Sequence, residues 1–403
     1  MNLIIFEDNR SEGFYPLTIS HPVFELRYGC FDIRERLQQL FNPENIALAC
    51  REFLAEIVRE KYGCPVNDFA QPGGNCLLVN AAAKPSVGFR DQLLNLDEGA
   101  GLFCDNILIG ANLAAERLTK LSAKNLITGD YSFIEANRRA EIKAALFEHL
   151  WDLVNANGEL IADDIKLMID MADWKTISNK TESANEVYIH PQASVQAGSF
   201  LDFSKGPILI DERATIEPRS VIQGPAYIGK GSRVMGGIIR EGCSLGPVCK
   251  VGGELEQSII LGYSNKCHEG FIGHSYLGEW VNLGALTTNS DLKNNYSPIM
   301  VRLQGRDVAT GSIKIGSFVG DHTKTGIGTL FNTGIVIGFC CNLYGGMLFE
   351  DREIGHFKWG KPGSLTNYRV DKAIEVARQV TARRGLQFTD ALAGLFRKIS
   401  LLQ

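Results

Sequence analysis

Two of the seven histidines in this 403-residue chain, His268 and His274, fall within seven residues of each other. They are followed by Tyr276, Asn282, Asn289 and Lys293 in the stretch LGYSNKCHEGFIGHSYLGEWVNLGALTTNSDLKNNY. Imidazole titrates near neutrality and so suits general-base work, whereas amides and phenols read hydroxyls through directional hydrogen bonds and a lysine supplies charge for an anion. A lone histidine is usually a hydrogen-bonded structural residue; a pair set among amides and lysines points to a site. Elsewhere, Asp8 and Asp105 offer the hard oxygen donors that magnesium takes, and Arg10 and Arg27 suit phosphate. Taken alone, each of these four reads more readily as a strand-end or surface residue. His268, His274 and His322 together make a second possibility, a zinc site between subunits.

These residues must be held by something, and the sequence indicates two kinds of scaffold. Before residue 185, short apolar runs (NLIIF at 2–6, IALAC at 46–50, CLLVN at 76–80, NILIG at 106–110) alternate with helical patterns over 32–41, 51–61 and 138–153. That is an α/β pattern with a mainly parallel sheet. From Val187 to Leu348 the apolar residues recur every six positions, as in Ile210, Ile216, Ile222, Ile228 and Val234, and many precede a glycine. A six-residue repeat builds a parallel β-helix, each coil burying its interior only by stacking on its neighbours. The phase breaks between Leu261 and Leu277 and again between Leu283 and about Ile315, which is where the polar cluster lies. Over 370–384, Ala373, Val376, Ala377 and Val380 share one face of a terminal helix. The expected domains are 1–184 (α/β), 185–364 (β-helix) and 365–403 (helical).

Composition excludes several classes. Hydrophobic residues make up 45%, charged residues 22%, and the net charge is -5, which leaves no basic surplus for nucleic acid. The ten cysteines contain no CxxC pair, so neither a disulfide framework nor a structural zinc site is expected. The apolar stretch Ile327–Leu348 contains five glycines and fits the six-residue period, so no membrane segment is expected. The N-terminus reads as a buried first strand rather than a signal peptide, and the expected location is the cytoplasm.

YLGEWVNLGALTTNSDLKNN (276–295) resembles the acetyltransferase half of the bifunctional UDP-N-acetylglucosamine pyrophosphorylase/glucosamine-1-phosphate N-acetyltransferase family. PLTISHPVFELRYG (16–29) and the segment 368–385, ending in Ala-Arg-Arg-Gly, resemble a variant bacterial branch with a short nucleotidyltransferase-like domain. The resemblance implies a left-handed β-helix, a homotrimer with sites between subunits, and acetyl-CoA as donor to an amino-sugar phosphate, with uridylyl transfer from UTP on Mg2+ as a possible second step. It implies His274 or His268 as the base, and contacts to the sugar phosphate from Lys266, Tyr276, Asn282, Asn289 and Lys293. Gly284 and Ala285 would lie along the thioester and pantetheine arm, and Arg383 and Arg384 at the coenzyme phosphates. In the N-terminal domain, Arg10 and Arg27 would meet nucleotide and Asp8 and Asp105 the metal. The glycine-rich phosphate loop is absent from Phe6–Gly13, however, and His21 stands where the branch carries arginine. A sugar-nucleotide sensor or scaffold with an inactive N-terminal domain is the alternative.

Overall fold

The computed structural model describes residues 1–69, 75–119, 121–143, 146–169, 173–178 and 186–402, so the expected boundary at 184/185 lies outside the described residues. The N-terminal part runs β1 (Asn2–Phe6), α1 (Ile33–Phe41), β2 (Asn45–Ala49), α2 (Glu52–Tyr62), β3 (Cys76–Asn80), α3 (Val87–Leu94), β4 (Gly101–Cys104), β5 (Ile107–Leu113), β6 (Arg139–Glu141) and α4 (Leu150–Met168). All residues of β1 and β3 are buried, as expected for strands covered on both faces. The sheet order is β2-β1-β3-β5-β4-β6. It is mixed: β1 pairs in parallel with β2 and β3, but β5 is antiparallel to both β3 and β4. Asp32 caps α1 in a reciprocal capping box with Glu35.

The helix expected over 138–153 is replaced by an edge strand at 139–141 and by α4, which starts at Leu150. Asn157 and Gly158 in mid-helix are poor helix formers, and both serve a contact instead. Asn157 donates to Gly242 O (2.8 Å) and accepts from Gly29 N (2.6 Å), while a Cβ on Gly158 would stand 3.4 Å from Pro225.

Residues 186–361 form a three-faced parallel β-solenoid. Its first face is a ten-stranded sheet, parallel except for the terminal strand Lys175–Ser178. Inward residues stack in register from coil to coil: Ile189, Ile210, Ile228, Leu245, Ile260, Leu277, Val319, Ile337 and Ile354 make one unbroken ladder. Each such buried side chain contributes about 1.5–3 kcal/mol relative to exposure. The third-face ladder passes through Ile222, Ile239, Leu255 and Ile272.

The first phase break is therefore not a loop. The coil continues through 261–277, and the period is disguised because Lys266 takes an inward position in register with Val251. The second break is real. It holds an antiparallel hairpin, Met300–Leu303 with Arg306–Ala309, whose Val301 and Leu303 are buried.

The N-terminal domain covers the first face, and the two share one core. Two helices rather than one close the chain, α5 (Val370–Ala382) and α6 (Asp390–Ser400), with α6 lying against α2 and α5. Among the described residues no helix is long and apolar enough to cross a membrane.

Candidate active site

At the carboxyl end of β1 the chain turns directly into a 3-10 helix, Asn9–Phe14. Asp8 caps it, accepting from Arg10 N (3.0 Å), ion-pairing with the Arg10 guanidinium (2.5 Å) and accepting from Asn80 Nδ2 (2.8 Å). Glu7, fully buried, accepts from Val23 N and Arg51 N. A Cβ on Gly13 would stand 2.0 Å from Glu148 O. The place where a phosphate cradle would lie thus presents two carboxylates and a covered glycine.

Arg27 is not beside Arg10. It is buried at the domain seam, donating to Cys30 O and lying over the Tyr227 ring at 5.8 Å. Asp105 and Asn106, at φ 50° and 66°, form the tight turn between β4 and β5. Asp8 has both oxygens engaged and Asp105 lies on a hairpin tip, and among the described residues no three His, Cys, Asp or Glu side chains gather to hold a metal. The histidines of the zinc alternative occupy three different corners of the coil: His268 between the second and third faces, His274 between the third and first, His322 between the first and second.

Lys266, Asn289 and Tyr276, expected at the sugar phosphate, make their polar contacts within the fold. Lys266 is buried inside the coil, its Nζ donating to His268 O and Gly252 O, and burial lowers its pKa to about 8. Asn289, also inward, accepts from Gly273 N (2.9 Å) and returns a bond to Gly273 O (3.1 Å). The Tyr276 phenol is fully buried between the domains, accepting from Arg27 N (2.7 Å) and donating to Arg27 O (2.8 Å). Lys293 is half-buried and donates to Pro298 O (3.2 Å). His274 is nearly buried, with Nδ1 2.7 Å from Asp291 Oδ2. Because Lys266 caps carbonyls inside the coil, Lys266→Met should leave the KM for any sugar phosphate within about twofold. A loss of one charge-assisted bond to the ligand would instead raise KM by about tenfold or more.

The remaining candidates converge on the second face. Its outward residues stack as Arg233, Lys250, Asn265, Asn282 and Lys324. Asn282 is exposed there, and one turn later Gly284 and Ala285 sit at the corner directly above the His268 turn, where Leu286 N donates to Glu269 O (2.7 Å). Gly284 N is bound to Thr325 Oγ1 (2.9 Å), and a Cβ on it would meet Gly326 O at 2.6 Å, so coil stacking accounts for that glycine. His268 is exposed at this corner.

At the other edge of the same face, the end of α5 brings Arg383 and Arg384 over Lys250, Asn265, Asn282 and Lys324, enclosing a cavity of about 380 Å³. Arg384 donates to Asn265 Oδ1 (2.8 Å), and Lys324 to His322 O (2.9 Å). Burial lowers the Lys324 pKa. Among the described residues none of the four cations has a carboxylate partner. Tyr263 and Trp280 form an aromatic wall, stacked at 4.7 Å and 9°, and Trp280 continues onto His322 at 6.0 Å and 9°. Lys250, Lys324, Tyr263 and Trp280 were not singled out from sequence. Counting outward positions by whole coils from Asn282 would have reached both lysines.

Residues 3–172 match a family described as sugar nucleotidyl transferase. The chain is 32% identical over 108 residues to a bifunctional sugar-1-phosphate nucleotidylyltransferase/acetyltransferase of Sulfurisphaera tokodaii, covering 27% of each chain. It is 30% identical over 296 residues to the bifunctional protein GlmU of Methanococcus maripaludis, covering 66% of this chain and 63% of that one. The chain therefore spans less than two thirds of the length of these curated relatives. A solved UDP-N-acetylglucosamine acyltransferase from Campylobacter jejuni aligns with 52% of this chain and 94% of its own at 13% identity and a TM-score of 0.19, too loose a superposition to bear on function. Over part of its length this chain is thus similar to the bifunctional sugar-1-phosphate nucleotidylyltransferase/acetyltransferases, and its residues 3–172 match the sugar nucleotidyl transferase family.

Proposed function

We propose that the second face of the solenoid is the site of acetyl-CoA-dependent N-acetylation of an amino-sugar 1-phosphate, glucosamine 1-phosphate being the first substrate to try. The observation that carries this reading is the cavity in which Lys250, Lys324, Arg383 and Arg384 meet without carboxylates beside stacked Tyr263 and Trp280. Clustered unpaired cations suit phosphates, and an aromatic wall suits a purine. Acetyl-CoA would supply the activated acyl group as a thioester. From the cavity the arm would run along Asn282 toward Ala285, placing the acyl group at the corner that carries His268. There the imidazole would take a proton from the sugar's amino group as that nitrogen attacks the thioester carbonyl, the C–S bond would break, and the coenzyme would leave as its thiol carrying that proton, with Asn282 holding the sugar.

His268 is preferred over His274 because it shares this face and is exposed, whereas His274 is covered and held by Asp291. Several outward residues of the third face and the neighbouring edge are apolar and exposed, among them Phe200 at 62% and Ile327 at 73%. They fit the expected homotrimer, in which a neighbour's third face would close over the second face.

A second reading concerns the N-terminal domain alone. The carboxylates of Glu7 and Asp8 and the covered Gly13 support a domain kept for docking rather than for uridylyl transfer. The test measures acetyl-CoA consumption with glucosamine 1-phosphate, and pyrophosphate release with UTP, Mg2+ and N-acetylglucosamine 1-phosphate. Substrate-dependent thiol release is expected in the first assay and none above background in the second. Absence of turnover in the first removes the acetyltransferase reading, and robust pyrophosphate release removes the docking one.

A further inference from the structure

The segment that follows the Asn9–Phe14 helix does not hang free at the mouth of the N-terminal sheet. Residues 15–29 are pressed against the first face of the solenoid, immediately behind the aromatic wall of the cation cavity. His21 is nearly buried, with Nδ1 2.6 Å from Glu25 Oε2 and Nε2 2.7 Å from Asp321 Oδ2. The second approach is too bent to count as a hydrogen bond, so charge rather than directionality holds it. Burial alone would lower the His21 pKa, but Asp321 and Glu25 raise it well above its ordinary value. Around it lie Lys61 from α2, 3.2 Å from Glu25, and Glu279 and His322 from the solenoid, which leave a single imidazolium between two carboxylates.

Asp321 passes this contact on. Its Oδ2 accepts from Ser20 Oγ (2.7 Å) and its Oδ1 from Glu279 N (2.8 Å), and His322 N donates to Glu279 O (2.9 Å). Glu279 is followed at once by Trp280. Tyr263, Trp280 and His322 all have left-handed backbone, at φ 52°, 60° and 58°. A bulky residue adopts that conformation only where its surroundings hold it there. At Trp280 the backbone hold within the solenoid is weak, since Trp280 N is 3.4 Å from Gly262 O. The Glu279 bond to Asp321 is the stronger anchor of that turn.

We propose that His21 and Asp321 are positioning residues through which the N-terminal domain holds the Trp280 wall of the cation cavity. On this account the solenoid site is not self-sufficient, and the docked segment 15–29 is a working part of it. The inference rests on the coenzyme reading of the cavity only for its effect on KM; the structural effect on the turn is independent of it.

The test uses the full chain with Asp321→Asn, and the milder Ser20→Ala should the first fold poorly. Hydrogen exchange across 276–283 should quicken in both, without matching change at 208–228 on the same face. The KM for acetyl-CoA should rise about tenfold, comparable to losing one aromatic contact, while kcat and the KM for the sugar phosphate stay within about twofold. Unchanged exchange over 276–283, or faster exchange spread evenly along the first face with KM unmoved, would overturn the proposal. If the parent protein does not bind coenzyme A at all, the coenzyme reading fails while the exchange result still decides the positioning claim.

Discussion

His268→Ala should lower kcat for acetyl transfer by about 10²–10⁴-fold, the usual contribution of a positioned general base. Coenzyme binding should be almost untouched, because the four cations lie at the opposite edge of the face. The side chain is exposed at a turn, so its removal should leave the thermal midpoint nearly unchanged. His274→Ala should behave in the opposite way. It strips a nearly buried carboxylate, Asp291, of its partner, and it sits at φ 49° in a turn that also accepts from Gly316 N (2.8 Å). That variant should lose stability while the molecules that stay folded keep most of their turnover. Steady-state kinetics and melting on the same two preparations separate the roles. A catalytic collapse in His274→Ala with none in His268→Ala would transfer the base to the His274–Asp291 pair.

The second large effect is on stability against pH. His322 and His356 are buried and neutral: burial lowers their pKa values to about 3 and about 4 from an ordinary 6.5. The unfolded chain takes up protons that the folded chain refuses, so this stability is complete above the unfolded value and is lost as pH falls below it. At 1.36 kcal/mol per unit the two together should remove about 5 kcal/mol between neutrality and pH of about 4.5. His21 works with the other sign. Its raised pKa gives stability that is fully present below the unfolded value and is lost as pH rises through the folded one. The two buried histidines thus lose their contribution on the acid side and His21 on the alkaline side, while Asp32 and Asp164, whose pKa values burial raises to about 7 and about 6, oppose the acid loss. Urea midpoints for the parent and for His356→Asn, whose amide oxygen can still accept from Phe339 N, check this. Between neutral and acid pH the variant should lose about 2 kcal/mol less than the parent, whereas equal losses in the two proteins would refute the argument.

How much of this could be read in the sequence depended on whether a residue's role was set by local period or by which surface another element covers. The aliphatic ladder is periodic, and every residue from Ile210 to Val234 counted by sixes is buried. The same count failed at Lys266 and Asn289, because a polar residue in an inward position looks like a break and attracts a functional reading. Both satisfy themselves on coil carbonyls and amides. Tyr276 was misread for a different reason. Nothing in its neighbourhood shows that the N-terminal domain lies over the first face, and its phenol is bound by a residue 249 positions away. The pairing of Arg384 with Asn265, 119 positions apart, was equally invisible, although the arginines themselves were flagged. Asn282, Gly284, Ala285, His268, Arg383 and Arg384 lie along one face of the solenoid and its two edges, the region to which the resemblance pointed.

The most direct test is calorimetric titration of coenzyme A into the full-length protein and into an Arg383→Ala/Arg384→Ala double variant. The account predicts saturable binding to the parent and a dissociation constant raised at least about tenfold in the variant, since charge-assisted bonds contribute about 1.5–3 kcal/mol each. Equal affinity in the two proteins, or no binding to the parent, would contradict it.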